Sequence, residues 1–161
     1  LPIRAFIAQP FIVSGSSMYP TFEDGDYLII DQISYKLENP HRGDVIVFKY
    51  PKDPKKFFIK RIIGLPNETV EIRDEQIFIK NMDNKEGFLI DEPFIKNMKT
   101  NDMSFTLRDG EYFVMGNNRN QSSDSRSWGS LPKELITGKV FLRLLPVKHI
   151  GVSLGEYPFE N

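Results

Sequence analysis

Residues 14–21 read SGSSMYPT, and the rest of the chain is organised around this stretch. Three serines, a glycine and a proline lie together, and the apolar residues 11–13 lead into them. Small residues allow the backbone to turn sharply and let another group approach closely. The stretch is therefore either a serine-rich turn or a turn that presents a serine nucleophile. A nucleophile would need a base from elsewhere in the chain.

Composition limits the classes of protein that the chain can belong to. Its 161 residues suit one domain, and the apolar fraction of 40% is enough for a sizeable core. A net charge of −1 argues against a nucleic-acid partner. The sequence has no cysteine, which excludes disulfides, zinc–thiolate sites and thiol nucleophiles. The carboxylates lack metal-ligand spacing, and we expect neither a metal nor another cofactor.

Short apolar and β-branched runs, each bounded by turn residues, predict an all-β fold. They lie at residues 11–13, 27–30, 45–48, 57–63, 70–72, 77–79, 112–115 and 140–144. The runs around residues 73–76 alternate as in a hairpin, whereas residues 34–40 and 52–56 are polar and predict loops. We expect a single catalytic domain over residues 1–161, with a β-hairpin and irregular excursion at approximately residues 67–110 and little helix.

A lysine inside an apolar segment is the strongest candidate for the base. Lys60 and Arg61 follow the apolar residues 57–59, so strand alternation directs one of the two cations inward. Burial that lowers a lysine pKa from about 10.4 to about 7 makes the amine a base at neutral pH. A lysine that extends its ammonium into water is the alternative. For the histidines of the chain, His41 and His149, we expect surface roles.

Four sequence blocks resemble those of type I signal peptidases, which are membrane-bound serine proteases with a Ser/Lys dyad. The blocks are GSSMYPT at residues 15–21, RGDVIVF at 42–48, KRIIGLP at 60–66 and GNNRNQSSDSR at 116–126. They occur in the family order, and the resemblance covers residues 11–145. One block alone would be weak evidence, whereas four in order are specific.

The resemblance implies a role for each matching residue in the dyad and around it. Ser17, the serine directly before methionine, is the expected nucleophile, and Lys60 is the expected general base. Ser122 matches a hydroxyl that the family places beside the lysine ammonium, where it helps to orient the amine. Asp124 and Arg126 match supporting positions that hold the last block in shape.

The resemblance also implies residues that bind the substrate. Apolar side chains would line two shallow pockets for the small residues of an Ala-x-Ala cleavage signal. The expected pocket residues are Phe11, Val13, Leu28, Val47, Phe58 and Ile59, and Met18 is expected to contact substrate beside the nucleophile. A plain core role is the alternative, above all for Leu28 and Val47.

Two positions depart from the family pattern. Asn117 stands where most members have an aspartate that pairs with the arginine after the catalytic lysine. We therefore expect Arg61 to lack its usual partner and the Lys60 strand to be looser. Gly15 stands where some members place a serine whose hydroxyl stabilises the oxyanion, so a water or a backbone group is expected to complete that site.

The resemblance predicts an all-β, partly barrel-like enzyme that acts as a monomer, without a cofactor, on the signal peptides of exported preproteins. Its catalytic domain is expected on the outer, periplasmic or extracellular face of the cytoplasmic membrane. Apolar residues near the N-terminus are expected to contact the lipid surface: Ile3, Phe6, Ile7 and Phe11. The family's transmembrane anchor is not visible in the sequence, and we expect a catalytic fragment.

Two other functions stay open at this point. A non-catalytic relative that acts as an assembly or binding factor would share the fold but lack the nucleophile or the base, and the chain has both. A self-cleaving repressor-type protease with a Ser/Lys dyad would carry a DNA-binding module and a cleavage segment, and the sequence shows neither.

Overall fold

Antiparallel β-strands make up most of the regular secondary structure in the described part of the chain. The computed structural model describes residues 9–19, 21–92, 95, 98–145 and 151–152, so His149, Ile3, Phe6 and Ile7 lie outside the described residues. The strands within these ranges are β1 (Gln9–Ile12), β2 (Tyr27–Asp31), β3 (Val45–Tyr50), β4 (Asp53–Gly64), β5 (Thr69–Arg73), β6 (Gln76–Lys80), β7 (Phe88–Leu89), β8 (Met103–Thr106), β9 (Glu111–Met115), β10 (Leu131–Pro132), β11 (Ile136–Leu145) and β12 (Gly151–Val152).

Helical structure is short. Among the described residues, the α-helices are α1 (Ser34–Leu37) and α2 (Ser125–Trp128), and single 3₁₀ turns lie at Arg119–Gln121 and Lys133–Leu135. No helix within the described ranges is long and apolar enough to cross a membrane. The predicted all-β class with little helix is confirmed.

The strands of the described residues form two antiparallel sheets. The first sheet has the order β1-β2-β11-β3-β4-β9-β10, and β12 pairs with β11. The second sheet has the order β7-β6-β5-β8 and takes its strands from residues 69–106, inside the range of the expected excursion. The assignment of the whole chain to one catalytic domain stays a prediction.

A hydrophobic cluster joins the two sheets. Ile63, Phe113 and Met115 of the first sheet pack with buried side chains of the second, including Val70 and Ile79. Full burial of a large apolar side chain contributes about 1.5–3 kcal/mol, and all five are completely buried. The cluster therefore fixes the second sheet against β4 and β9, which are the strands that lead into the active site.

Two segments that the sequence predicts as loops contain regular structure. Residues 34–37 form α1, because the Asp31 carboxylate accepts hydrogen bonds from the Ile33 and Ser34 amides and turns the chain into a helix. Residues 53–56 belong to β4, where Asp53 lies opposite Tyr50. The pairing with β3 is irregular here: Phe57 lies opposite Lys49 and Asp53 lies opposite Tyr50, so residues 54–56 form a bulge in β4.

Candidate active site

The serine stretch forms the connection between β1 and β2, which bring Ile12 opposite Tyr27. Two backbone hydrogen bonds close the base of this connection. The Val13 amide donates to the Asp26 carbonyl, and the Gly25 amide donates to the Val13 carbonyl, each at 2.8 Å. The serines therefore lie on a closed loop with a defined shape and not on a loose linker.

Met18 anchors this loop in the hydrophobic core. Its side chain is 1% exposed and packs with Phe22, whose amide donates to the Met18 carbonyl at 3.0 Å. The Met18 side chain is part of the core, and its expected contact with substrate stays a prediction. Met18 holds the loop by burial, which contributes about 1.5–3 kcal/mol for such a side chain.

Ser17 and Lys60 meet although 43 residues separate them in sequence. Lys60 lies on β4 opposite Ile46 of β3 and is 4% exposed. Its Nζ donates to Ser17 Oγ at 2.8 Å. A neutral amine at this position can instead accept the hydroxyl proton, which is the geometry that a general base requires.

Burial lowers the pKa of Lys60 from 10.5 to about 8. Desolvation is the main cause, because the charged ammonium is removed from water. The negative charge of Asp124 acts in the opposite direction and raises this pKa, and the positive charge of Arg126 lowers it. A lysine with a pKa of about 8 is partly neutral near neutral pH, so a useful fraction of the molecules holds a base.

The segment after β9 holds the nucleophile loop in place. The Asn118 amide donates to the Ser17 carbonyl at 2.8 Å, and Asn118 Nδ2 donates to the Ser16 carbonyl at 3.0 Å. At Gly116 a Cβ would lie 2.6 Å from the Ser17 carbonyl oxygen and 2.7 Å from Ser122 Cβ. Both contacts are too close for a side chain, so only glycine lets the two segments approach this far.

Asp124 and Arg126 form a compact ion pair behind this segment. Arg126 Nε and Nη2 donate to the two Asp124 carboxylate oxygens at 2.8 and 2.9 Å. Asp124 also caps α2 by accepting the Arg126 amide and accepts the Gly116 amide at 3.1 Å. The pair orders the loop between β9 and α2. Its two charges have opposite effects on the pKa of Lys60, which Asp124 raises and Arg126 lowers.

A cleft of about 470 Å³ opens beside the side chains of Ser17 and Lys60. Its walls include all six expected pocket residues: Phe11, Val13, Leu28, Val47, Phe58 and Ile59. Val13, Leu28 and Val47 also belong to a buried hydrophobic cluster, so these three residues are part of the core and of the cleft wall at the same time. Seven other lining residues were not among the predicted site residues: Ile12, Ser14, Ser16, Lys56, Phe57, Gln121 and Ser123.

Comparison with known proteins identifies the family. The family model described as signal peptidase, peptidase S26, matches residues 1–145. The chain belongs to this family. The predicted resemblance and the predicted class of enzyme, a peptidase of the signal peptidase I type, are confirmed.

Relatives in the S26 family match over most of their length. A probable signal peptidase I-1 of Synechocystis is 36% identical over 99% of this chain and 82% of the relative. Signal peptidase I V of Bacillus subtilis is 36% identical over 87% of this chain and 88% of the relative. A solved signal peptidase I from Enterococcus faecalis has a TM-score of 0.53 and 31% identity, and the match covers 63% of this chain and 97% of that chain.

Asn117, at the position where the family resemblance implies an aspartate, is a hydrogen-bond partner of Arg61. Arg61 Nε donates to Asn117 Oδ1 at 3.0 Å, and its Nη1 donates to the Gly43 carbonyl at 2.9 Å. Asn117 Nδ2 also donates to Thr21 Oγ1 at 2.6 Å, a bond that needs an amide donor. The expectation that Arg61 lacks a partner at this position is wrong, because the amide oxygen of Asn117 accepts the Arg61 Nε hydrogen bond.

Gly15 and Ser122 also differ from what the S26 pattern implies. Gly15 has a φ of +91°, a conformation that favours glycine, so a serine hydroxyl there would come with backbone strain. Ser122 Oγ is buried and has no hydrogen-bond partner in the described part of the chain, so the expected bond to the Lys60 amine is not formed. Its side chain packs against Gly116 instead.

Some residues that shape the site carry no clear signal in the sequence. Gly116 and Asn118 lie in the last block, and the lack of any apolar residue there is the one hint that they face a polar site. Glu92 bonds Arg119 of the same block from 27 residues away, in a segment with no recognisable pattern. Contacts over such separations follow from the packing of the sheets and not from local sequence.

Proposed function

We propose that the chain is a serine endopeptidase that removes signal peptides from exported preproteins, with Ser17 as the nucleophile and Lys60 as the general base. The observation that carries the proposal is the 2.8 Å contact between Lys60 Nζ and Ser17 Oγ at the edge of the cleft. A serine alone is a weak nucleophile, and a buried lysine within hydrogen-bond distance supplies the base that it needs.

The reaction proceeds through an ester with Ser17. Neutral Lys60 accepts the hydroxyl proton while Ser17 Oγ attacks the carbonyl carbon of the scissile bond. The Ser17 backbone amide, together with water or a further backbone group, stabilises the negative oxygen of the tetrahedral intermediate. As the C–N bond breaks, Lys60 returns the proton to the leaving amine, and a water molecule activated by Lys60 then hydrolyses the ester.

Cleavage follows small residues, as in an Ala-x-Ala signal. The branched side chains of Val13, Leu28 and Val47 line the cleft beside Ser17 and are packed in the buried cluster, which favours small substrate side chains. A large side chain at the cleavage site would have to displace this packed floor, and overpacking costs about 1–3 kcal/mol.

The enzyme acts as a monomer on the outer face of the cytoplasmic membrane, with lipid beside the cleft. Ile12 and Phe57 are 58% and 45% exposed at the cleft rim, where apolar side chains favour contact with lipid. Co-sedimentation with lipid vesicles measures this contact, and equal recovery of the wild type and an Ile12→Ser/Phe57→Ser variant would remove it from the proposal.

The decisive experiment is cleavage of a preprotein in detergent, with sequencing of the new N-terminus. Ser17→Ala should abolish cleavage, and the matched control Ser16→Ala should retain most of it, because Ser16 is exposed and bonds the Asn118 side chain through its backbone carbonyl. An active Ser17→Ala enzyme would refute the nucleophile assignment. Binding of the preprotein without cleavage would favour an assembly factor instead.

A further inference from the structure

Arg119 and Glu92 form a buried ion pair next to the active site. The two Nη atoms of Arg119 donate to the two Glu92 carboxylate oxygens, at 2.8 and 2.7 Å. The Arg119 side chain is 1% exposed and the Glu92 side chain 7% exposed. A guanidinium buried without a partner is strongly unfavourable, so Glu92 supplies a charge that Arg119 requires at this position.

Arg119 passes this restraint on to the active-site loop. Its Nε donates to the Gly116 carbonyl at 2.5 Å, and its own carbonyl accepts a hydrogen bond from Arg126 Nη2 at 2.6 Å. Arg126 is the partner of Asp124, and the charges of both act on Lys60. One buried side chain therefore connects the glycine that packs on the nucleophile loop with the ion pair near the base.

Glu92 comes from the side of the second sheet. It follows β7 closely in sequence, and the Ile90 amide before it donates to the Ile77 carbonyl of β6 at 2.9 Å. A second bond ties the same two regions together, because the Lys99 amide donates to Asn120 Oδ1 at 2.9 Å. The excursion thus reaches the active-site loop through specific polar contacts as well as through the hydrophobic cluster.

We propose that Glu92 is a positioning residue for the reaction of Ser17 and Lys60, acting through Arg119 on the Gly116–Asn118 segment that binds the Ser17 carbonyl. The inference rests on the proposed peptidase activity. Without the carboxylate, the buried Arg119 guanidinium loses its bidentate ionic partner and keeps the long contact of Nη1 with Met98 Sδ at 3.9 Å, and it moves towards other acceptors together with the Gly116 carbonyl. A displacement of about 1 Å at reacting groups can cost roughly 10²-fold in rate.

The chain contains a matched control for this proposal. Arg42 and Glu68 form a second bidentate pair, at 2.6 and 2.8 Å, and both side chains are 6% exposed. Arg42 Nη1 also donates to the Ile63 carbonyl, which lies on β4 before the 65–68 turn and away from the active-site loop. The same Glu→Gln change therefore removes a buried bidentate carboxylate in each pair; Glu68 also accepts the Leu65 amide and Asn81 Nδ2, whereas the arginine of the Glu92 pair bonds the Gly116 carbonyl.

The experiment compares Glu92→Gln with Glu68→Gln in the preprotein cleavage assay, at a temperature where single-tryptophan fluorescence shows every variant to be folded. Glu92→Gln should lower kcat by about 10–100-fold with KM changed less than about twofold, since positioning acts on the chemical step. Both variants should lower the unfolding temperature by a similar amount. Glu68→Gln should nevertheless leave kcat within about twofold of the wild type. Wild-type kcat in Glu92→Gln, or an equal fall in both variants, would overturn the proposal.

Two further measurements keep the proposal testable in every case. If Glu92→Gln does not fold, Glu92→Asp keeps the charge but withdraws it by one methylene; a reduced kcat supports the proposal, and wild-type kcat overturns it. Hydrogen exchange of the Asn118 amide reports on its 2.8 Å bond to the Ser17 carbonyl without any cleavage. This amide should exchange at least about tenfold faster in the Glu92 variant than in Glu68→Gln. A wild type without activity would refute the proposed function, and unchanged exchange would refute the role of Glu92.

Discussion

Two neighbouring buried cations, Lys60 and Arg61, lie on opposite faces of β4 and have different hydrogen-bond partners. Arg61, 2% exposed, donates to Asn117 Oδ1 and to the Gly43 carbonyl. Lys60, 4% exposed, donates to the neutral hydroxyl of Ser17 and forms no salt bridge in the described part of the chain. One face holds its cation with fixed acceptors, and the other leaves its cation beside a group that can react.

Burial has nearly the same effect on both groups. It lowers the pKa of Lys60 from 10.5 to about 8 and the pKa of Arg61 from 12.5 to about 10. Because the ordinary pKa of arginine is two units higher than that of lysine, Arg61 remains charged at neutral pH while Lys60 becomes partly neutral. The residue type therefore decides which of two similarly buried cations can serve as a base. The hydrogen-bond acceptors around each cation decide which one has a structural role.

The largest expected difference between the two faces is in activity. Lys60→Met should fold normally and lose at least about 10²–10⁴-fold in kcat, because methionine fills the same apolar space without a base. Arg61→Met should lose stability instead, by about 1–3 kcal/mol for each acceptor left without its donor. Cleavage rates and urea unfolding of the two variants measure both effects. A stable, inactive Arg61→Met with a fully active Lys60→Met would reverse the assignment.

The pH dependence of cleavage should follow the Lys60 face alone. Below pH 8 the fraction of neutral Lys60 falls about tenfold for each pH unit, so kcat/KM should rise with pH and level off above about pH 8. Lys60→Arg should be inactive from pH 6 to 8, since its guanidinium stays charged in this range. A wild-type profile that is flat between pH 6 and 8, or that rises only near pH 10, contradicts a depressed lysine pKa.

The free energy of unfolding should also depend on pH through Lys60, with a smaller effect than that on activity. The folded state holds fewer protons than the unfolded state between pH 8 and 10.5, because the pKa of Lys60 is lower when folded, so the free energy of unfolding should rise with pH in this window. The gain approaches about 3 kcal/mol at 1.36 kcal/mol per pH unit. Tyr35 and Tyr112, whose pKa values burial raises, oppose it. The difference between wild type and Lys60→Met cancels their contribution, and its absence would argue against a buried, depressed Lys60.

The smallest effect is expected from restoring the common family residue on the Arg61 face. Asn117→Asp gives Arg61 a charged partner but removes the amide that donates to Thr21 Oγ1. These changes nearly cancel, since a buried ion pair gains little over a satisfied neutral one, and the unfolding free energy should change by less than about 1 kcal/mol. Denaturant unfolding measures it. Stabilisation well above this value would mean that Asn117 serves Arg61 poorly in the wild type.

The sequence predicted most strands and the two residues of the proposed dyad. Residues 45–48 and 112–115 lie in β3 and β9, because dense β-branched and aromatic residues favour strands whatever lies across the sheet. The helix at Ser34–Leu37 was not predicted, since it depends on one capping carboxylate at Asp31. Local composition reports the average preference of a segment and misses a turn that a single side chain decides.

Sequence alone determined the strand runs, the four family blocks and the identity of Ser17 and Lys60 as candidates. Tertiary structure decided that their side chains lie 2.8 Å apart, that Met18 is buried in the core, and that Glu92 holds Arg119. The physical reason is range. Strand preference arises between residues a few positions apart. The Lys60–Ser17 and Arg119–Glu92 contacts join residues that are 43 and 27 positions apart, which only the packing of the sheets brings together.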